Sequence, residues 1–352
     1  GFTQVRAWNR MSIVLAFLAL AGVGLVLDHL VALAGSRRFL ARGPGRRLIG
    51  PVAAGLLAVV ALLDQTTDAM IPNYPAVRTA WTSDDAYFSK VDSLLGSGAA
   101  VFQLPIVPYP ENPPVAAMAD YEQLRGFLHS DLHWSYGAVK GSGSDWQSAA
   151  FSRGLTHALP ALVSTGFDAI YINRQGYADH GAAVEAELAA ALDDESPLVN
   201  SDGTLAVYDL RSYAEVLRAS GAALPDSQTV LHPATLDFTS GLYDLETDGT
   251  TAWQWAGAEA VAGVSGTGTQ EVVLTGVVSV ATPGATVTVT VDSATTQLRA
   301  DEAGTVTLDL AVTVHEGTRV VLSSDTAATT PADGDTRDLR MKLTGLTLAP
   351  TW

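Results

Sequence analysis

The sequence predicts a multidomain chain: two transmembrane α-helices, an extracytoplasmic α/β domain and a C-terminal antiparallel β-sandwich. Three observations lead there. Charge is segregated along the 352 residues: seven basic side chains face one acidic in residues 1–63, against 13 and 36 in the rest, for −17 overall. Two apolar runs, Met11 to Leu27 and Leu48 to Leu63, lie within the basic segment. Beyond Pro225 a Thr- and Val-rich stretch alternates with period two. A hydrophobic content of 47% in a chain of this length suffices for two or three packed units.

Residues 1–66 read as a transmembrane hairpin with helices at about 11–33 and 48–63. An apolar helix of some 20 residues crosses a hydrocarbon core of about 30 Å. The second run reaches if Arg46 and Arg47 extend their charged heads to the interface. The loop "SRRFLARGPGRR" holds five arginines and no acid, so the positive-inside tendency puts it in the cytoplasm and everything after about residue 64 outside the plasma membrane. Arg6 and Arg10, a helical turn apart around Trp8, then fall at the outer interface. They suit interfacial anchoring or a lipid-linked phosphate, which guanidinium groups bind through paired donors. A cleaved signal peptide ending at Ala32-Leu33-Ala34 is the competing reading, and it leaves the second run and the arginine-rich loop unexplained. The first residue is glycine, which points to a chain cut from a longer membrane protein.

Residues 67–220 read as the α/β domain. "TSDDAYFSKVDSLLGS" is a helix capped by Ser83 or Asp84 and closed by Gly96. "VFQLPIVPYPENPP" is a strand that ends at Leu104, because Pro105, Pro108 and Pro110 cannot continue a ladder. "AAMADYEQLRGFLHSD" predicts an amphipathic helix with Met118, Tyr121, Leu124 and Leu128 on one face. A helix in "GLTHALPALVSTGF", a strand in "DAIYIN", a helix in "DHGAAVEAELAAALDDE" and a hairpin in "PLVNSDGTLAVYDL" follow. Strands alternating with helices make an α/β layer. Residues 225–352, with "ATVTVTVDS" and "GTVTLDLAVTV" between Gly and Pro turns, read as the sandwich. Trp253 and Trp255 share one face of a strand there, which is expected to be the core, with a sugar platform as the alternative.

Candidate chemistry concentrates in "DYEQLRGFLHSDLHWSYGAVKGSGSDW". His129, Asp131 and His133 alternate as metal ligands would, but the spacing is short and a distant fourth ligand is lacking, so no metal site is assigned. The favoured functional reading is a sugar- or acceptor-binding surface. Trp134, Tyr136 and Trp146 would stack on sugar faces, while Glu111, Arg125, His129, Asp131, His133 and Lys140 would bond hydroxyls. The competing reading has the tryptophans plugging the core and the charges solvated. No nucleophile elbow, P-loop, dinucleotide fingerprint or His-Glu-x-x-His stretch occurs. The absence of cysteine removes disulfides, thiolate nucleophiles and cysteine zinc sites. So acidic a body offers no field for nucleic acid.

"VRAWNRMSIVLAFLALAG" resembles the final membrane stretch of bacterial GT-C-type membrane glycosyltransferases, including the YfhO-like "sugar translocase" proteins. "LRGFLHSDLHWSYGAVKG" and "GFDAIYINRQGYADHG" resemble the outer domain that follows in that group. "YDLETDGTTAWQWAGAEA" is similar to a β-sandwich, carbohydrate-binding-like, appended to sugar-transfer proteins. The resemblance implies the C-terminal part of an integral membrane glycosyltransferase that draws on polyprenyl-phosphate-linked sugar to assemble extracytoplasmic glycan or glycolipid. Its partners would be the lipid bilayer, the lipid-linked sugar and cell-envelope glycan. No cofactor is implied for this chain, a divalent cation belonging to the parent enzyme. The family's catalytic carboxylate sits early in the membrane domain, outside this chain, so no catalytic residue is assigned. The alternative is a non-catalytic, membrane-anchored glycan-binding or scaffold protein of the cell envelope.

Overall fold

Stretches rich in Ala, Leu and Val make helices of the first part of the chain, α1 (Met11–Ser36) and α2 (Arg46–Gln65). The computed structural model describes residues 11–36, 46–65, 72–140, 145–329 and 335–352, and the chain divides into two units, 1–78 and 79–352. The transmembrane hairpin expected from the sequence is overturned: among the described residues no helix is long and apolar enough to cross a membrane. Although α1 has 26 residues, the uninterrupted apolar runs are short. The run from Met11 to Leu27 has 17 residues before Asp28 and His29 interrupt it, and that from Leu48 to Leu63 has 16. At about 1.5 Å per residue these span roughly 25 Å, short of a core of about 30 Å. Arg6 and Arg10 lie outside the described residues.

The helix α3 (Tyr74–Leu95) buries Tyr87, Phe88, Val91 and Leu95 and ends at Gly96, whose φ of +87° suits a residue without a Cβ. It starts well before the caps expected at Ser83 or Asp84. After it come β1 (Ala100–Leu104), α4 (Arg125–His129), β2 (His133–Trp134), α5 (Trp146–Ala150), α6 (Leu155–Ser164) and β3 (Ala169–Asn173). Then come α7 (Ala182–Ala191), β4 (Leu198–Val199), β5 (Leu205–Asp209), α8 (Arg211–Ala219) and α9 (Ser227–Leu231). The sheet order is β2-β1-β3-β5-β4, with β1 parallel to β2 and β3, and β5 antiparallel to β3 and β4. Both faces are covered. Phe102, Leu104, Ile170 and Ile172 pack with Leu159, Leu162 and Leu188 of α6 and α7, while Val101, Tyr171 and Val207 pack with Phe88 and Val91 of α3. Two-sided burial is why these strands read as nearly continuous apolar runs.

The long amphipathic helix expected over "AAMADYEQLRGFLHSD" is cut to a 3₁₀ turn, Glu122–Leu124, and the single turn of α4. Asp120 Oδ1 accepts the amides of Asn112 and Tyr121, at 3.1 and 2.9 Å, and Tyr121 takes a φ of +65°. A carboxylate that binds nearby amides in a turn competes with helix formation.

The rest of the chain is all antiparallel strand: β6 (Thr235–Thr247), β7 (Ala252–Ser265), β8 (Thr269–Val280), β9 (Thr286–Val291), β10 (Ala294–Arg299), β11 (Thr305–His315), β12 (Arg319–Ser324) and β13 (Met341–Pro350). The order β10-β9-β12-β7-β13-β8-β11, with β6 on β7, is one sheet curled into a nearly closed barrel, which corrects the expected two-layer sandwich. The cause lies in the β6–β7 hairpin. One stretch of β7, Glu259–Gly263, pairs with β12, and another, Gln254–Ala256, pairs with β13, so a single strand serves both halves. Its partner β6 absorbs the turn with register shifts between Phe238 and Leu245. Bulges of this kind bend a strand from one sheet direction into the other. Gly241, at φ +87°, sits where a Cβ would lie 2.0 Å from the Glu259 carbonyl oxygen. The barrel core includes Ala256, Ala260, Ala262 and Val264 of β7. Trp253 and Trp255 therefore point to the opposite, outer face and are half-buried, contrary to the expectation that they form the core.

Candidate functional site at the carboxyl ends of the parallel strands

In an open α/β sheet, ligands bind beyond the carboxyl ends of parallel strands where the strand order reverses. Here that place lies beside β1: the chain leaves it for β2 on one side and returns to β3 on the other. The segments that follow Leu104, Trp134 and Asn173 meet above it. The amide of Tyr109 donates to the Ala138 carbonyl at 2.9 Å and Lys140 N–H donates to the Tyr109 carbonyl at 2.7 Å, which ties the proline-rich loop to the segment after β2. Gly137 makes the approach close, since a Cβ there would sit 1.9 Å from the Val107 carbonyl oxygen.

Three tyrosines form the rim. The Tyr109 ring meets Tyr136 edge-on at 5.3 Å and Tyr121 at 6.4 Å. Glu111, Ala116, Tyr121 and Tyr136 all hold positive φ, between 50° and 65°. Such conformations cost of order 1–3 kcal/mol each and concentrate at functional sites. Burial, with the Asp120 carboxylate and then the neighbouring tyrosines, pushes the Tyr136 phenol up to about 12. It stays protonated and able to donate.

Beneath the rim lie four buried amide side chains. Gln103 Nε2 donates to the Gln123 carbonyl at 2.6 Å, and its Oε1 accepts the Tyr136 amide at 2.8 Å. Gln123 Nε2 donates to the Pro105 carbonyl at 2.9 Å, Gln147 Nε2 to the Ser135 carbonyl at 3.4 Å, and Asn173 Oδ1 accepts from Gln175 N–H at 3.1 Å. Gln123 Oε1, Gln147 Oε1 and Asn173 Nδ2 are buried with no partner in the protein. Gln123 lines a cavity of about 10 Å3 with Asn112, Asp120, Tyr121 and Tyr136. That is room for one water.

Of the residues singled out from sequence, Glu111, Tyr136 and Lys140 reach this rim. Lys140 Nζ donates to the Glu111 carbonyl at 2.5 Å. Arg125 instead forks onto Asp84, at 2.5 and 2.9 Å, with Glu122 at 3.4 Å, and so ties α4 to α3. The His129 ring is 3% exposed, 4.1 Å from the Trp81 ring and stacked on Phe88 at 6.0 Å. Asp131 and His133 are exposed, and among the described residues no three His, Asp or Glu side chains converge as a metal would require. Trp134 packs against Phe88 and Tyr171 and donates to Ser130 Oγ at 2.9 Å, while Trp146 packs on Phe102 and Phe167. Both fill the core beneath the rim. Tyr109, Tyr121, Asp120 and the amides were missed. A glutamine inside "AVFQL" and an asparagine closing "AIYIN" were the signals available, each a polar group in a strand buried on both faces.

No protein-family profile matches the chain, and no curated protein matches it. Among solved structures it is similar to a family two carbohydrate esterase from Cellvibrio japonicus, at 15% identity and a TM-score of 0.21, over 34% of this chain and 34% of that one.

Proposed function

We propose that this chain handles saccharide: it holds the acceptor or growing glycan for a cell-envelope glycosyltransferase that draws on polyprenyl-phosphate-linked sugar. The observation that carries the reading is the tyrosine rim of Tyr109, Tyr121 and Tyr136, the last two held at left-handed backbone angles, above buried amides. Tyrosine offers an apolar plane for the C–H face of a sugar and a hydroxyl for its polar edge. The neighbouring cations are committed to protein oxygens, Arg125 to Asp84 and Lys140 to the Glu111 carbonyl, while Asp120 and Glu122 are acidic. This balance favours a neutral glycan over a phosphate or uronate.

Calorimetric titration of the full chain with mannohexaose, arabinohexaose and cellohexaose tests the reading. At least one should bind, and Tyr109→Ala should weaken it roughly tenfold, the loss of one stacking contact of about 1.4 kcal/mol. The proposal fails if none binds, or if Tyr109→Ala binds as tightly as the parent chain.

A further inference from the structure

The outer face of the barrel carries an aromatic array that the tyrosine rim does not use. Trp253 and Trp255 lie on β7 at alternate positions, so their side chains leave the same face roughly 7 Å apart. Glu246, directly across from Trp253 on β6, holds its indole. Trp253 Nε1 donates to Glu246 Oε2 at 3.2 Å. Arg337 closes the group: its guanidinium donates to Glu246 Oε1 at 2.7 Å, forks onto Asp335 at 2.7 and 3.0 Å, and lies 5.5 Å from the centre of the Tyr243 ring. On β13, Lys342 stands opposite Trp255 and places its ammonium 3.8 Å from the centre of the Trp253 ring.

Two large rings turned away from the core stay half-buried on the outer face, and the carboxylate that holds the Trp253 indole is itself held by an arginine. Rings fixed in advance lose little freedom when a ligand stacks on them. Planar polar groups of both signs at the ring edges match hydroxyls that donate and accept. We propose that Tyr243, Trp253 and Trp255 form a second saccharide-binding surface, for a neutral oligosaccharide or polysaccharide chain, with Glu246 as the positioning residue.

Electrophoresis of the full chain through native gels containing soluble mannan, arabinogalactan or β-1,3-glucan tests this across three sugar chemistries. At least one polysaccharide should retard the chain. Trp255→Ala should weaken that retardation roughly tenfold, Trp255→Phe should keep part of it, and Glu246→Gln should give an intermediate loss together with a change in tryptophan emission. Tyr109→Ala, in the α/β domain, should leave the barrel's contribution in place. The proposal is overturned if no polysaccharide retards the chain, or if Trp255→Ala and Trp255→Phe both run like the parent. Retardation lost in Tyr109→Ala but kept in Trp255→Ala would also overturn it, while leaving the tyrosine rim standing. Near-ultraviolet circular dichroism of each variant separates lost binding from lost fold.

Discussion

Gln103 shows how much one side chain decides at the candidate site. It is fully buried in β1, and its carboxamide joins the 3₁₀ turn, through the Gln123 carbonyl, to the segment after β2, through the Tyr136 amide. Gln103→Leu would strand a buried carbonyl and a buried N–H. Leaving such groups unpaired costs about 1–3 kcal/mol each, so urea denaturation should show a loss of about 2–6 kcal/mol together with weakened saccharide binding. A variant as stable as the parent would refute the assignment. Gly137 makes a second test. A methyl group there meets the Val107 carbonyl oxygen at 1.9 Å, so the backbone must move, and Gly137→Ala should lower stability by about 1–3 kcal/mol. An unshifted denaturation midpoint would mean that the two loops are not held together as described.

At the level of elements, the joint between β5, α8 and α3 rests on Arg211. It forks onto Asp209, at 2.5 and 2.9 Å, and donates to the Leu94 and Leu95 carbonyls, at 2.9 and 3.2 Å, at the end of α3. A cation is favourable there because the last carbonyls of a helix carry partial negative charge. Burial works to raise the Asp209 carboxyl, but the hydrogen bonds and charge of Arg211 outweigh it and hold the group below its ordinary value. A carboxylate with a lowered folded pKa contributes stability that is present above its unfolded pKa, near 3.9, and lost as pH falls through the folded value. Asp209→Asn should therefore be less stable than the parent at neutral pH, and the gap should close below about pH 4. Guanidinium denaturation from pH 7 downward measures this. A gap that stays constant with pH would count against the ion pair.

Across the whole molecule, the acidic excess sets what can approach. With 36 acidic side chains against 13 basic beyond residue 63, the field repels anions, and the repulsion is weakened once the screening length falls to about 8 Å at physiological salt. Neutral polysaccharide should bind about equally at low and physiological ionic strength, whereas binding of heparin should be undetectable at low salt. Heparin retardation that is strongest at low salt would contradict the reading of both sites as neutral-glycan surfaces.

What could be read from the sequence were features that one residue and its neighbours along the chain express. The strands in "VFQL" and "DAIYIN", the helix in "GLTHALPALVSTGF" and the Ser-Asp-Gly hairpin follow from periodicity and turn chemistry, which act over a few residues, and they stand in the structure as β1, β3, α6 and the β4–β5 pair. Helicity in residues 11–36 and 46–65 was equally plain, but the ability to cross a membrane was not, because Asp28 and His29 shorten an otherwise apolar run. Alternation in "GTVTLDLAVTV" marks one buried face per strand and is silent on closure, which depends on β7 pairing with β12 and β13 along its length. Trp253 and Trp255 share a face by their spacing alone, yet it took the inward turn of Ala256, Ala260 and Ala262 to show that their face is the outer one. The rim of Tyr109, Tyr121 and Tyr136 brings together residues from different loops through main-chain hydrogen bonds and left-handed backbone angles. Nothing in side-chain composition encodes which loops will touch, so that juxtaposition belongs to the folded molecule.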